Sequence, residues 1–196
     1  MTNHQPLPRL AQPGAPARRL FKRGELIHLA GEHGPLQRIV SGAARLDLPT
    51  ETGSRFASLA LAGDLLGIES LAFGGHGVTA RALTPCPLEI HEPEEVPLAQ
   101  MALATQRAAQ TVALRDGPAA WRIQRLAALL TAEGAQPLSN RRHLLPRLAD
   151  IAEIPGLTVE PVSRTTATLG SACGLPHKTY RQRATRQSSF AQALAA

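Results

Sequence analysis

Apolar and polar positions along this chain follow two different periods, and the change falls near Pro97. From Phe21 to Ile90, short segments such as Gln37-Arg38-Ile39-Val40, Ala44-Arg45-Leu46-Asp47-Leu48 and Phe56-Ala57-Ser58-Leu59-Ala60-Leu61 tend to alternate apolar with polar residues. Glycines separate them, from Gly24 and Gly31 through Gly42, Gly53, Gly63 and Gly67 to the group Gly74, Gly75 and Gly77. A period of two broken by turn residues predicts short strands in a small all-β roll or sandwich, with no helix of useful length. Beyond Pro97 the apolar positions Leu98, Met101, Thr105, Ala108 and Val112 recur at alternating spacings of three and four, up to Gly117-Pro118. That spacing predicts a helix of about 17 to 19 residues with a seam along one side. Such a seam packs on its own domain or pairs with the same helix of a second copy, and periodicity leaves both open. A second helix is predicted from about Ala119 to Leu130. Ala119, Ile123, Leu126, Ala127 and Leu130 share one face, Arg122 and Arg125 lie elsewhere on the circumference, and a structural role suits it.

The stretch from Leu148 to Leu169 is the most specific in the chain. An apolar helix from about Leu148 to Ile154 should stop at Pro155-Gly156, and Thr158 can then cap a new helix by accepting from its unpaired N–H groups. Pro161 falls in the first turn of that helix, where a missing N–H costs little. On a helical wheel Val159, Val162, Thr166 and Leu169 lie on one side, and Glu160, Ser163, Arg164 and Ala167 on the other. A helix, a tight glycine turn and a helix with a chemically varied outer face make a helix-turn-helix. Its outer residue types read base edges in a major groove, with an arginine fork for guanine, a carboxylate for cytosine and a small hydroxyl for thymine. The plainer reading is a surface helix carrying an ordinary Glu160–Arg164 pair at i, i+4.

Charge sharpens this picture. The 196 residues carry a net charge of +6, and all of the excess lies in the second half: residues 1 to 100 hold 9 Lys+Arg against 10 Asp+Glu, and residues 101 to 196 hold 12 against 5. A polyanionic partner for one module, with a different task for the other, fits such asymmetry. A composition of 43% hydrophobic and 18% charged residues excludes a disordered tail protein. Two cysteines, Cys86 and Cys173, cannot build a disulfide framework and suit a reducing cytoplasm. The first twenty residues are rich in proline and arginine and lack an apolar run, so a flexible start, no signal peptide and no membrane span are expected.

Asp150-Ile151-Ala152 followed by Gly156-Leu157-Thr158-Val159-Glu160-Pro161-Val162-Ser163-Arg164 resembles the D-I-A, G-L-T-x-E-x-x-S-R signature of the CRP/FNR superfamily of bacterial transcription regulators. In the first half, Phe21-Lys22-Arg23-Gly24-Glu25, Ile39-Val40-Ser41-Gly42-Ala43-Ala44-Arg45-Leu46, Leu61-Ala62-Gly63-Asp64-Leu65-Leu66-Gly67 and Ala80-Arg81-Ala82-Leu83-Thr84-Pro85-Cys86 resemble that family's β-roll landmarks in order and spacing. The resemblance covers about residues 20 to 185, and the Glu-x-x-Ser-Arg set resembles the FNR branch. It implies an α+β fold: a flexible N-terminus over 1–19, a cyclic-nucleotide-binding-like β-roll over 20–95, a dimerisation helix and linker over 96–116, and a winged helix-turn-helix over 117–196. It further implies that Glu160, Ser163 and Arg164 read a TTGA-like half-site. Arg147, Thr158, Lys178, Arg181 and Arg183 would hold phosphates, the last three from a wing. The implied partners are double-stranded DNA, a second copy of the chain, and RNA polymerase if the regulator activates; no enzymatic activity is implied.

Departures from the family narrow the effector. Aligning on Arg81 to Cys86 puts His76 and Gly77 where cyclic-AMP receptors carry an Arg-Ser pair, and without that arginine a cyclic phosphate lacks its bidentate partner. No cysteine precedes Cys86, so an iron–sulfur sensor of the FNR type is not expected. His28, His33, His76 and His91 have no i, i+4 or H-x-H pairing, so they read as ordinary loop or surface residues, and no metal or cofactor is predicted. Cys86 reads as an inert core thiol. Cys173, in a turn near Arg164 and Lys178, is a candidate redox switch, since positive neighbours lower a thiol's pKa. The competing reading is a cupin-like small-molecule or metal-binding β-roll protein with a non-specific basic helical domain.

Overall fold

The computed structural model of the chain describes residues 18–92, 98–131 and 146–169. Eight short strands follow one another: β1 Arg18–Phe21, β2 Leu26–His28, β3 Leu36–Ile39, β4 Ala43–Thr50, β5 Gly53–Leu61, β6 Leu65–Leu66, β7 Thr79–Ala82 and β8 Cys86–His91. They pair antiparallel in two four-stranded sheets, ordered β1-β8-β3-β6 and β2-β7-β4-β5. This is the predicted roll, with two refinements. β1 begins at Arg18, so the segment expected to be flexible through residue 19 gives its last two residues to a strand paired with Glu89 and Leu88. A single helical turn, α1 Ser70–Phe73, interrupts the strands before Gly74, whose φ of 77° closes it.

Period-two burial shows where side chains alternate. Ala80 and Ala82 are buried around an exposed Arg81, and Cys86 and Leu88 are buried around a half-buried Pro87. With Phe21, Ile39, Ala44, Ala60 and Leu66 they form the interior of the roll. Cys86 is the inert thiol expected, fully buried and with its pKa pushed up to about 12 by burial.

Helix α2, Leu98–Ala113, is shorter than predicted because the chain leaves it through turn hydrogen bonds from Arg115 to Val112 and from Asp116 to Ala113. It lies on β5. Its inward face carries Arg107 and Thr111, not the apolar seam. The Arg107 guanidinium donates to both oxygens of Asp64 at 2.9 and 3.2 Å, and both side chains are buried. Thr111 Oγ1 accepts from the Leu59 N–H and lies 3.3 Å from Ser58 Oγ. Leu98, Met101 and Val112 therefore point outward, 83%, 53% and 69% exposed, with Thr105 and Ala108 exposed beside them.

Helices α3 Ala119–Thr131, α4 Leu148–Glu153 and α5 Val159–Leu169 complete the described fold. The boundary expected near residue 117 is not a gap in the packing. Ala43, Phe56, Leu59, Leu61 and Leu83 of the roll share one apolar cluster with Leu114, Ile123, Leu126, Ile151, Ile154 and Val162. Arg45 of β4 reinforces this junction. Its guanidinium donates to Asp47 on its own strand, to Asp150 at 2.7 Å and to Glu153 at 2.9 and 3.0 Å on α4. These hydrogen bonds raise the Arg45 pKa further above its ordinary value, despite the opposing effect of burial.

Candidate nucleic-acid interface

Helix α4 ends where the sequence predicts, and the structure gives the mechanism. The Leu157 N–H donates to the Ala152 carbonyl at 2.8 Å and the Gly156 N–H to that of Glu153 at 2.9 Å, the paired bonds of a Schellman motif. That motif needs a left-handed residue, which Gly156 supplies with φ of 68°. Leu157 then packs back onto the shared core, and Thr158 stands exposed immediately before α5. Pro161 is the third residue of α5, inside its first turn as expected.

Arg122 of α3 and Arg115 of the α2–α3 connection brace this turn. Arg122 donates to the Gly117 carbonyl at 2.7 Å and to the Pro155 carbonyl at 3.3 Å, and Arg115 donates to the Ile154 carbonyl at 3.4 Å. Arg125 donates to the carbonyls of Ala113, the last residue of α2, and Asp116. Of the four arginines, Arg107 alone is buried; Arg122 is half-buried, and Arg115 and Arg125 stay exposed while donating to backbone carbonyls. Arg107 is thus lost to a polyanion surface although the net charge counts it, because a net charge does not say where a side chain points.

Val162 is fully buried against the core and Pro161 and Thr165 are half-buried, so the inward side of α5 centres on Val162. Val159, placed on that side by the wheel, is 47% exposed because it sits in the first turn, beyond the edge of the contact. The opposite face presents Glu160 and Arg164, both exposed and joined as an i, i+4 ion pair, with Ser163 half-buried on its flank. Of the three expected base-reading residues the structure places Glu160 and Arg164 on the exposed face and Ser163 beside it, half-buried. An exposed pair of this kind contributes only about 0.3–0.5 kcal/mol, less than the roughly 1–3 kcal/mol of a bidentate base contact.

Arg147 directly precedes α4, and its guanidinium lies back against Gly24 of the roll: a Cβ built on Gly24 would come 2.6 Å from Nη2. Reaching a phosphate requires this side chain to swing away from Gly24. Lys178, Arg181, Arg183 and Cys173 lie outside the described residues, as does the expected wing.

The histidines are not isolated. β2 pairs with β7 so that His28 lies opposite Ala80, and His76 from the loop before β7 stacks on His28 with ring centroids 3.7 Å apart and planes inclined by 12°. Burial and the neighbouring His76 push the His28 pKa down to about 4 against a hydrogen bond with the Val78 backbone. A separation of 48 positions hides this pair from any local spacing rule; the antiparallel β2–β7 ladder is what creates it.

No family model matches the chain, and no curated protein matches it by sequence. Solved structures do. TTHB099, a CRP-family transcriptional regulator of Thermus thermophilus, is 27% identical, with a TM-score of 0.62 over 77% of this chain and 83% of that one. TTHA1359, a CRP/FNR-family transcriptional regulator of the same organism, is 21% identical, with a TM-score of 0.58 over 78% and 85%. FixK2 of Bradyrhizobium japonicum is 22% identical, with a TM-score of 0.56 over 81% and 86%. The CRP/FNR resemblance read from the sequence is borne out, and the chain has the α+β fold it implies; the FNR-like branch is not singled out. Among the described residues no helix is long and apolar enough to cross a membrane.

Proposed function

We propose, from a chain with the fold of the CRP/FNR regulators, that it is a sequence-specific DNA-binding transcription regulator that binds a TTGA-like palindrome as a homodimer in the cytoplasm. The observation that carries this reading is α5: it follows a glycine-closed turn and presents Glu160 and Arg164 away from the core, with Ser163 half-buried beside them. Arg164 would fork onto guanine, Glu160 would accept from cytosine, and Ser163 would complete the half-site contact. Thr158, at the start of α5, and Arg147, once turned from Gly24, would hold phosphates, joined by Lys178, Arg181 and Arg183. Two such helices reach successive major grooves only in a dimer, and the outward seam Leu98, Met101, Thr105, Ala108 and Val112 supports helix pairing between copies. An activating role would add RNA polymerase as a partner. The outward face of α5 belongs to the FNR-like half-site reading and to no enzymatic step, so the chain is read as a regulator and not as an enzyme.

Fluorescence anisotropy with a TTGA palindrome, the same half-site alone and a scrambled duplex tests this directly. Tightest binding to the palindrome is expected. Equal binding to all three duplexes would reduce the helical half to a non-specific basic surface.

A further inference from the structure

The stacked histidines belong to a larger cluster. Glu69, just before α1, contributes a carboxylate, and one ligand atom from each of His28, Glu69 and His76 lies within 4.8 Å of the others. We propose that His28, His76 and Glu69 form a binding site for a divalent first-row transition ion of the zinc type, held in the β-roll.

Three observations carry it. First, His28 and His76 are only 8% and 3% exposed, yet among the described residues His28 Nε2 and His76 Nδ1 have no hydrogen-bond partner. Buried polar nitrogens are almost always paired, and two in contacting rings mark a place where something else supplies the partner. Second, two of the three ligands, His28 and Glu69, are oriented by a neighbour, as metal ligands are. The Val78 backbone hydrogen bonds the His28 ring and leaves Nε2 over, and the Gly77 N–H donates to Glu69 Oε1 at 3.2 Å and leaves the other oxygen over. Third, the backbone makes room for His76: a Cβ on Gly34 would meet its Nε2 at 2.6 Å, and one on Gly67, at φ of 86°, would meet its Cε1 at 2.7 Å. The register of β2 against β7 shifts between Leu26 and His28, an irregularity of the kind that re-aims side chains beside functional sites.

Two imidazoles and a carboxylate are the donor set of three-ligand zinc sites and of the facial triads that leave positions open. The open positions would face a cavity of about 450 Å³ that His28 and His76 line together with Glu32, His33 and Gln37. With zinc–ligand bonds of about 2.1 Å, donors in a tetrahedron stand roughly 3.4 Å apart. Closing on an ion therefore draws the cluster in by roughly 1.4 Å at most, within reach of the Glu69 side chain, and turns one ring out of the stack. The cluster stands on the roll and is independent of the reading of α5.

The test uses the purified full chain after chelator treatment, titrated with Zn²⁺ by calorimetry and with Co²⁺ by visible absorption. One high-affinity ion per chain and an intense low-symmetry cobalt spectrum are expected. Glu69→Gln, on a half-exposed turn, should weaken binding by about tenfold or more, and His28→Gln and His76→Gln by about a hundredfold or more, since even outer-shell partners are worth 10–100-fold. His91→Gln, outside the cluster, should change nothing. Absence of the cobalt bands, or equal affinity in wild type and Glu69→Gln, overturns the site, even where the histidine variants fail to fold. Intact metal binding with no palindrome preference would instead count against the DNA reading alone.

Discussion

Helices α2 and α5 are mirror images in their use of polarity. α2 turns Arg107 and Thr111 inward and shows Leu98, Met101 and Val112 to solvent, whereas α5 turns Val162 inward and shows Glu160 and Arg164. Each orientation is set by what it meets. β5 and the turn after it offer α2 a carboxylate, a hydroxyl and a backbone N–H, which arginine and threonine satisfy; α3 and α4 offer α5 an apolar cluster, which Val162 enters. The faces left outside then differ in the partner they suit, an apolar seam for a second copy and a charged one for a polyanion.

The largest effect is expected where α2 is anchored. Arg107→Ala leaves the Asp64 carboxylate buried without its cation, which should cost about 3 to 5 kcal/mol in urea unfolding. A cost below about 1 kcal/mol would mean that the polar face does not hold α2 and would erase half of the contrast.

Next comes the outward face of α2. Val112→Glu should leave unfolding stability within about 0.5 kcal/mol, as a surface change does. It should also convert the protein to monomers in sedimentation and weaken palindrome binding by about a hundredfold or more through lost bivalency. An unchanged mass would leave the exposed seam without a second copy to cover it.

For α5, Arg164→Ala should lose about 1 to 3 kcal/mol of discrimination at one base pair of the half-site. Arg183→Ala should instead weaken all duplexes alike and lower the salt slope by about 1. Equal losses on specific and random DNA for Arg164→Ala would make α5 another basic face.

These orientations mark how far the sequence could be read. Period two and the glycine spacing disclosed the roll, and Pro155-Gly156 with Thr158 disclosed the turn and α5, because each signal is local. The direction of α2 was not legible: its seam is periodic whichever way it faces, and the deciding partner, Asp64, is 43 residues away. The same limit hid Arg45, whose partners Asp150 and Glu153 come from a helix over a hundred residues later, and the His28–His76 stack. Glu160, Ser163 and Arg164 could be placed because they share one helix.

The smallest effect sharpens the junction that carries both helices. Hydrogen bonds from Arg45 hold the Glu153 carboxyl below its ordinary value of 4.5. Near that pH the unfolded chain binds more protons, so the stability Glu153 contributes is present above it and is lost as pH falls through the folded value. Glu153 is half exposed, so screening keeps the effect below about 1 kcal/mol. Urea midpoints should fall further between neutral pH and about pH 3.5 in wild type than in Glu153→Gln; identical pH profiles would remove the ion pair from the account.

The central claim is that α5 reads a defined sequence from a paired molecule. Selection of random duplexes by the purified protein tests it most directly. The account predicts enrichment of two inverted TTGA-like half-sites whose centres lie about one helical turn apart, roughly 10 base pairs. Recovery of unrelated sequences, or of a single half-site with no inverted partner, would contradict it.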